Sequence, residues 1–149
     1  MTENPHADYI RKQIISIQAG SKFATYVINT SHDEFIRDFS SCLFTNLVRN
    51  TFTRTYMRKH LCRCGAPSNE RCHGLNEERP VLIRRALERV YPDVEQSIQL
   101  KVIVVAFLEE HINTKFAFKC SPCHKLETFN LLTKASLTRS GRRYSYYGS

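Results

Sequence analysis

With 149 residues, 42% of them hydrophobic and 24% charged, the chain suits one compact domain of ordinary size and leaves no room for a second large one. Five Gly and five Pro exclude a collagenous or wholly disordered composition, and 22 Lys and Arg against 14 Asp and Glu give a net charge of +8. The longest uninterrupted apolar run, 102–108, falls far short of the roughly 20 residues that a membrane-spanning helix needs, so no membrane is expected as a partner.

From Met1 to Lys12 there is neither a basic n-region nor an apolar h-region, so the expectation is an intracellular protein, in cytoplasm or nucleus, that is not secreted. Between Ala7 and Ala19 the spacing of Tyr9, Ile10, Ile14, Ile15 and Ile17 predicts a helix with a broad apolar face, stopped at Gly20. The segment 23–28 fits either a strand or an extended link. A second helix is expected from Ser31 or His32, where Ser31 and Glu34 have capping-box spacing. Phe35, Ile36, Phe39, Cys42, Leu43 and Leu47 follow on one face, with Cys42 as core, and the helix could run past Phe52 and Met57 towards Arg58.

The character changes at Leu61. From there to Gly74 the chain is poor in apolar residues and rich in Cys, Gly, Pro and Asn, so hydrophobic burial alone does not account for its order. A helix is expected from Glu77 to Tyr91, capped by Asn76, with Leu82, Ile83, Ala86, Leu87 and Val90 inward and Pro92 after it. Its Arg84, Arg85 and Arg89 read as a solvated face paired with Glu88. Another helix is expected over 97–112, although 102–105 alone could pass for a strand. Phe116 and Phe118 alternate with Lys115, Ala117 and Lys119 as a short strand, and Leu126, Phe129 and Leu132 continue as a helix just after Cys120.

Charge is unevenly spread. Between Asp38 and Glu70 there is no acid, while Arg49, Arg54, Arg58, Lys59 and Arg63 fall there. From Thr128 to Ser149 there is again none, and Arg139, Arg142 and Arg143 are interleaved with Tyr144, Tyr146 and Tyr147. Such segments suit a polyanion, because Lys and Arg gain from counterion release and Tyr can stack on exposed bases; DNA or another nucleic acid is the expected partner.

Three fragments carry the distinctive chemistry: Cys62-Arg63-Cys64-Gly65, Arg71-Cys72-His73-Gly74 and Cys120-Ser121-Pro122-Cys123-His124. Two cysteine pairs separated by a long insert are the pattern of a tetrahedral structural zinc site, since thiolates bind zinc strongly and each pair supplies neighbouring vertices. Cys62, Cys64, Cys120 and Cys123 are the expected ligands. The single residue between Cys62 and Cys64 is tight, so Cys72 could replace either, and plain buried thiols are the simpler alternative.

In this order the fragments resemble the HNH, or His-Me finger, endonucleases that carry a structural zinc, over about residues 61–129. The resemblance implies a zinc-stabilised ββα core, His-Me finger or treble-clef-like, at 61–134, and with the helices that periodicity predicts over 1–60 packed on it the expected fold is α+β. A helical insert at 75–114 and a basic tail at 135–149 complete the expected layout, all as one compact domain plus tail. It further implies metal-dependent nicking or cleavage of DNA phosphodiesters, with His73 as general base and His124 holding a catalytic magnesium or manganese ion. The chain departs from the family pattern at three points. Cys72, a soft ligand, stands where Asp or His often precedes the essential His; Lys115 stands where the middle Asn usually lies, with His111 and Asn113 nearby; and 46 residues separate His73 from Cys120. A catalytically silent, zinc-stabilised DNA-binding or assembly protein is therefore the alternative, and a homodimer would suit double-strand cutting.

Overall fold

The computed structural model describes residues 3–74, 77–93 and 95–126. Among them the elements run α1 (Ala7–Ala19), β1 (Val27–Ser31), α2 (His32–Phe39), α3 (Leu43–Thr51), α4 (Arg54–Arg58), β2 (Glu70–His73), α5 (Arg79–Val90), β3 (Glu95–Gln99), α6 (Leu100–Asn113) and β4 (Phe116–Lys119). A helical segment at 121–126 follows. The protein is α+β, with two small antiparallel sheets. Its chain groups into two compact units, Met1–Thr51 with Arg79–Lys115 and Phe52–Glu78 with Phe116–Ser149. Helices α5 and α6, which lie within the expected insert 75–114, share a unit with α1, α2 and α3. The expected cap Asn76, the residues Phe129 and Leu132, and the whole tail from 135 lie outside the described residues.

In the first unit, α1 runs as its spacing predicts, and Gly20 turns the chain to an extended conformation while its N–H reaches Ser16 O and Ile17 O. The buried face is narrower than expected: Ala7, Ile10 and Ile14 are covered, whereas Ile15 is 62% exposed. Residues 27–31 form a strand because β3 pairs with them, in the register Val27↔Gln99 to Ser31↔Glu95. Ser31 then caps α2, its hydroxyl accepting from Glu34 N at 3.3 Å while also contacting the Glu34 carboxylate.

The single long helix expected from Ser31 onward is three helices. Ser40, Ser41 and Cys42 interrupt it, and the Ser40 carbonyl accepts from Arg79 Nε at 2.6 Å, a partner from far along the chain that competes with the helical ladder. Cys42 is exposed rather than core, with its thiol donating to Asp38 O at 3.3 Å. The second break falls at Thr53, whose hydroxyl accepts from Tyr56 N and starts α4 afresh.

The core of this unit lies among α1, α2, α3, α5 and α6, where Phe35, Phe44, Leu82, Ile83, Leu87, Ile103, Phe107 and Leu108 are fully buried. Residues 102–105 are helical, since α6 is buried on most of its circumference and an all-round apolar run suits a core helix. His111 belongs to that core, with Nδ1 on Phe107 O and its ring edge-on to Phe107. Arg84 and Arg89 pair across to other helices, with Asp33 at 2.6 Å and with Glu109 and Glu110 at 3.3 and 3.0 Å.

The second unit is smaller in apolar content. Phe52 stacks at an angle on Phe116 and Phe118, and Tyr56 from α4 meets Phe118 edge-on. β2 and β4 pair antiparallel from Glu70↔Lys119 to His73↔Phe116.

Candidate metal centre

The loop before β2 is shaped by its backbone. Leu61 bridges Pro67, Cys62 N donates to Ala66 O at 2.7 Å, and Gly65 N donates to Cys62 O at 2.8 Å. Gly65 sits at φ +93°, a left-handed conformation that favours glycine and closes a turn tight enough for a one-residue cysteine spacing. Beyond it, Asn69 N donates to Lys119 O, tying the loop to the end of β4. Cys120 follows directly, and His124 N donates to Cys120 O at 3.0 Å in the first turn of the helical segment, which sets Cys120 and Cys123 on one side.

These two pieces bring the sulfurs of Cys62, Cys64, Cys120 and Cys123 within 4.8 Å of one another, with Cys64 Sγ and Cys120 Sγ at 3.6 Å. A tetrahedral zinc with bonds of about 2.3 Å has sulfur–sulfur edges of about 3.8 Å. The four cysteines therefore fit a metal ion such as zinc in number, donor type and spacing. Their titration points the same way. Backbone amides of Cys120 and Cys64 pull the Cys62 thiol down to about 6, whereas the surrounding sulfurs of Cys120, Cys64 and Cys62 push Cys123 up to about 12. Cys120 is raised although the Cys123 amide favours its thiolate, because burial and the neighbouring sulfurs outweigh it. One negative charge is welcome here; four need a cation among them.

Cys72, the alternative ligand, is not one of the four. It lies on β2 opposite Ala117, half-buried, with burial raising its thiol. His73 ends β2 opposite Phe116 and is half-buried. His124 is buried, and its Nδ1 lies 2.7 Å from Glu70 Oε1, while Ser121 Oγ donates to Glu70 Oε2 at 2.7 Å. Ser121 first and His124 second hold the Glu70 carboxyl below its usual range. Glu70 thus joins the start of β2 to the helical segment beside the cysteines. Sequence reasoning missed it, and the available signal was its position as the first acid after a long acid-free stretch.

The basic residues distribute as follows. Arg54, Arg58, Lys59 and Arg63 are exposed on the second unit, and Arg49 is exposed on α3 of the first. Arg139, Arg142 and Arg143 lie outside the described residues. His111 and Asn113 both belong to α6 in the first unit, whereas Lys115 directly precedes β4. Among the described residues no helix is long and apolar enough to cross a membrane. Comparison with protein families, curated proteins and solved structures finds nothing that matches the chain.

Proposed function

We propose that the protein binds nucleic acid through its cysteine-bearing unit, which a structural zinc ion holds in shape. The observation that carries this reading is the separation of charge. Residues of the second unit include eleven Lys and Arg against four Asp and Glu, whereas those of the first include eleven against ten. Among the described residues alone the second unit has seven Lys and Arg against three Asp and Glu, so the excess positive charge falls on the unit with the smaller apolar core, as a surface that meets phosphates would require. Zinc would be held by Cys62, Cys64, Cys120 and Cys123 and would fix the loop before β2 against the helical segment.

A second reading, hydrolysis of the phosphodiester in the manner of the HNH endonucleases, is favoured by one further arrangement. β2 bearing His73 pairs with β4, and the helical segment bearing His124 follows at once. In that reading His73 takes a proton from the attacking water, and Glu70 orients the His124 imidazole through Nδ1, as a carboxylate behind a metal-binding histidine commonly does. A divalent ion held by His124 would supply charge stabilisation at the scissile phosphate. Cys72, soft and raised by burial, does not suit magnesium.

Both readings are tested on the full chain. Binding to duplex and single-stranded DNA and to RNA is titrated across salt for the wild type and for Arg54→Gln, Arg58→Gln and Lys59→Gln. Each substitution is expected to flatten the logarithmic salt dependence by about one unit, the signature of one lost phosphate contact. Nicking of supercoiled plasmid is then followed with magnesium or manganese, wild type beside His73→Ala at matched DNA occupancy. A loss of about 100-fold or more in the variant supports the nuclease, general-base contributions being of that order. Bound DNA with no nicking in either leaves the binding protein, and no binding to any nucleic acid overturns both readings.

A further inference from the structure

The four clustered sulfurs are unevenly exposed. Cys62 and Cys120 are buried, Cys123 is half-buried and Cys64 is exposed. The turn that follows Cys64 is uncrowded, since a Cβ built on Gly65 meets nothing within 4 Å. Cys120, buried, has its Sγ 3.6 Å from that of Cys64, so the exposed one of the four cysteines has a buried one in sulfur–sulfur contact with it. The remaining cysteines lie outside this cluster: Cys42 is exposed with its thiol on the Asp38 carbonyl, and Cys72 is half-buried on β2.

We propose that Cys64 is an oxidation site for hydrogen peroxide, that Cys120 resolves the oxidised sulfur as a disulfide, and that the metal ion is released when this bond forms. In the first step the Cys64 thiolate attacks one peroxide oxygen, the O–O bond breaks, and Cys64 becomes a sulfenic acid as hydroxide leaves. In the second step the Cys120 thiolate attacks the Cys64 sulfur and the S–O bond breaks with loss of a second hydroxide. Two thiolates are oxidised by two electrons and one peroxide is reduced to two hydroxides. Closing the sulfurs from 3.6 Å to a bond of about 2.05 Å is a small movement for a turn built around a glycine. Only Cys62 and Cys123 remain as donors, too few for a closed structural site. The new bond joins the loop before β2 to the start of the helical segment, which are the two pieces the four sulfurs join, so oxidation exchanges one cross-link for another.

The release of metal rests on the zinc reading above, whereas the choice of sulfurs does not. The experiment takes the full chain, wild type and Cys42→Ser, and first measures zinc in the reduced protein. Hydrogen peroxide is then added, released zinc is followed with a chromophoric chelator, and disulfides are mapped by mass spectrometry. The expected result is one zinc released per Cys64–Cys120 bond formed, at rates within twofold in the two proteins, reversed by dithiothreitol with added zinc. A bond mapped to any other pair, or zinc retained at peroxide concentrations that oxidise Cys42, overturns the proposal. A reduced protein without zinc would remove the metal reading, and the mapped bond would still decide the oxidation site.

Discussion

In the first unit, α5 and α6 set Leu82, Ile83, Leu87, Ile103, Phe107 and Leu108 against one another with no exposed surface, and Phe44 and Phe35 extend the same core. In the second, the described buried residues are few, chiefly Phe52, Phe118, Cys62 and Cys120, around strands of four residues each. A two-stranded sheet with so little apolar cover is marginal in water. The first unit is thus held by apolar area spread over many residues, whereas the second has little of it and brings four sulfurs together at one point, where they could hold a metal ion such as zinc. Charge divides along the same line, with eleven Lys and Arg against four Asp and Glu in the second unit, where self-repulsion adds to what a small apolar core must offset.

The largest test of this contrast is removal of the zinc that Cys62, Cys64, Cys120 and Cys123 are proposed to hold. Structural zinc sites contribute on the order of 10–16 kcal/mol to small domains. Chelation should therefore abolish hydrogen-exchange protection over 52–74 and 116–126 while leaving the amides of α5 and α6 protected. Equal loss in both units would show that the cysteines hold the whole chain. The mirror experiment is Phe107→Ala, which removes a ring lying edge-on to Phe44 and His111. A cost of about 3–5 kcal/mol is expected by urea unfolding, the usual range for a buried Phe, with zinc content unchanged at one per chain. Zinc lost along with stability would break the division between the units.

The contrast also marks what could be read without coordinates. Local signals were legible: Gly20 stops α1 where its periodicity ends, Ser31 caps the Glu34 amide, and Leu82, Ile83, Ala86 and Leu87 face inward as spaced. Features set by distant partners were not. β3 exists because it pairs with β1, some seventy residues earlier, and the break after Phe39 has Arg79 on the Ser40 carbonyl. Ile15 and Cys42 satisfy a helical pattern yet face solvent, because a pattern gives the width of a face and not what covers it. The four cysteines that spacing singled out do come together, within 4.8 Å of one another, as a group that could hold a metal ion. Glu70 stands out in the sequence only as the first acid after a long acid-free stretch, and its role was not legible because it depends on the helical segment that returns beside it.

The finest test uses one kind of interaction found in both units. Ser31 caps α2 in the first and Thr53 caps α4 in the second, each hydroxyl accepting from the amide three residues on, at 3.3 and 3.1 Å. Replacing either with Ala removes one such bond and should cost about 1 kcal/mol in the zinc-loaded protein. The two should then part company. α4 is a five-residue helix that does not persist in isolation, so its cap stabilises the protein only while the second unit is folded around it. After chelation, Ser31→Ala should still lower the stability of the first unit by about the same 1 kcal/mol, and Thr53→Ala should have no measurable effect. If Thr53→Ala kept its cost without metal, the order of α4 would come from the chain alone, and the cysteines would hold only the loop and the helical segment.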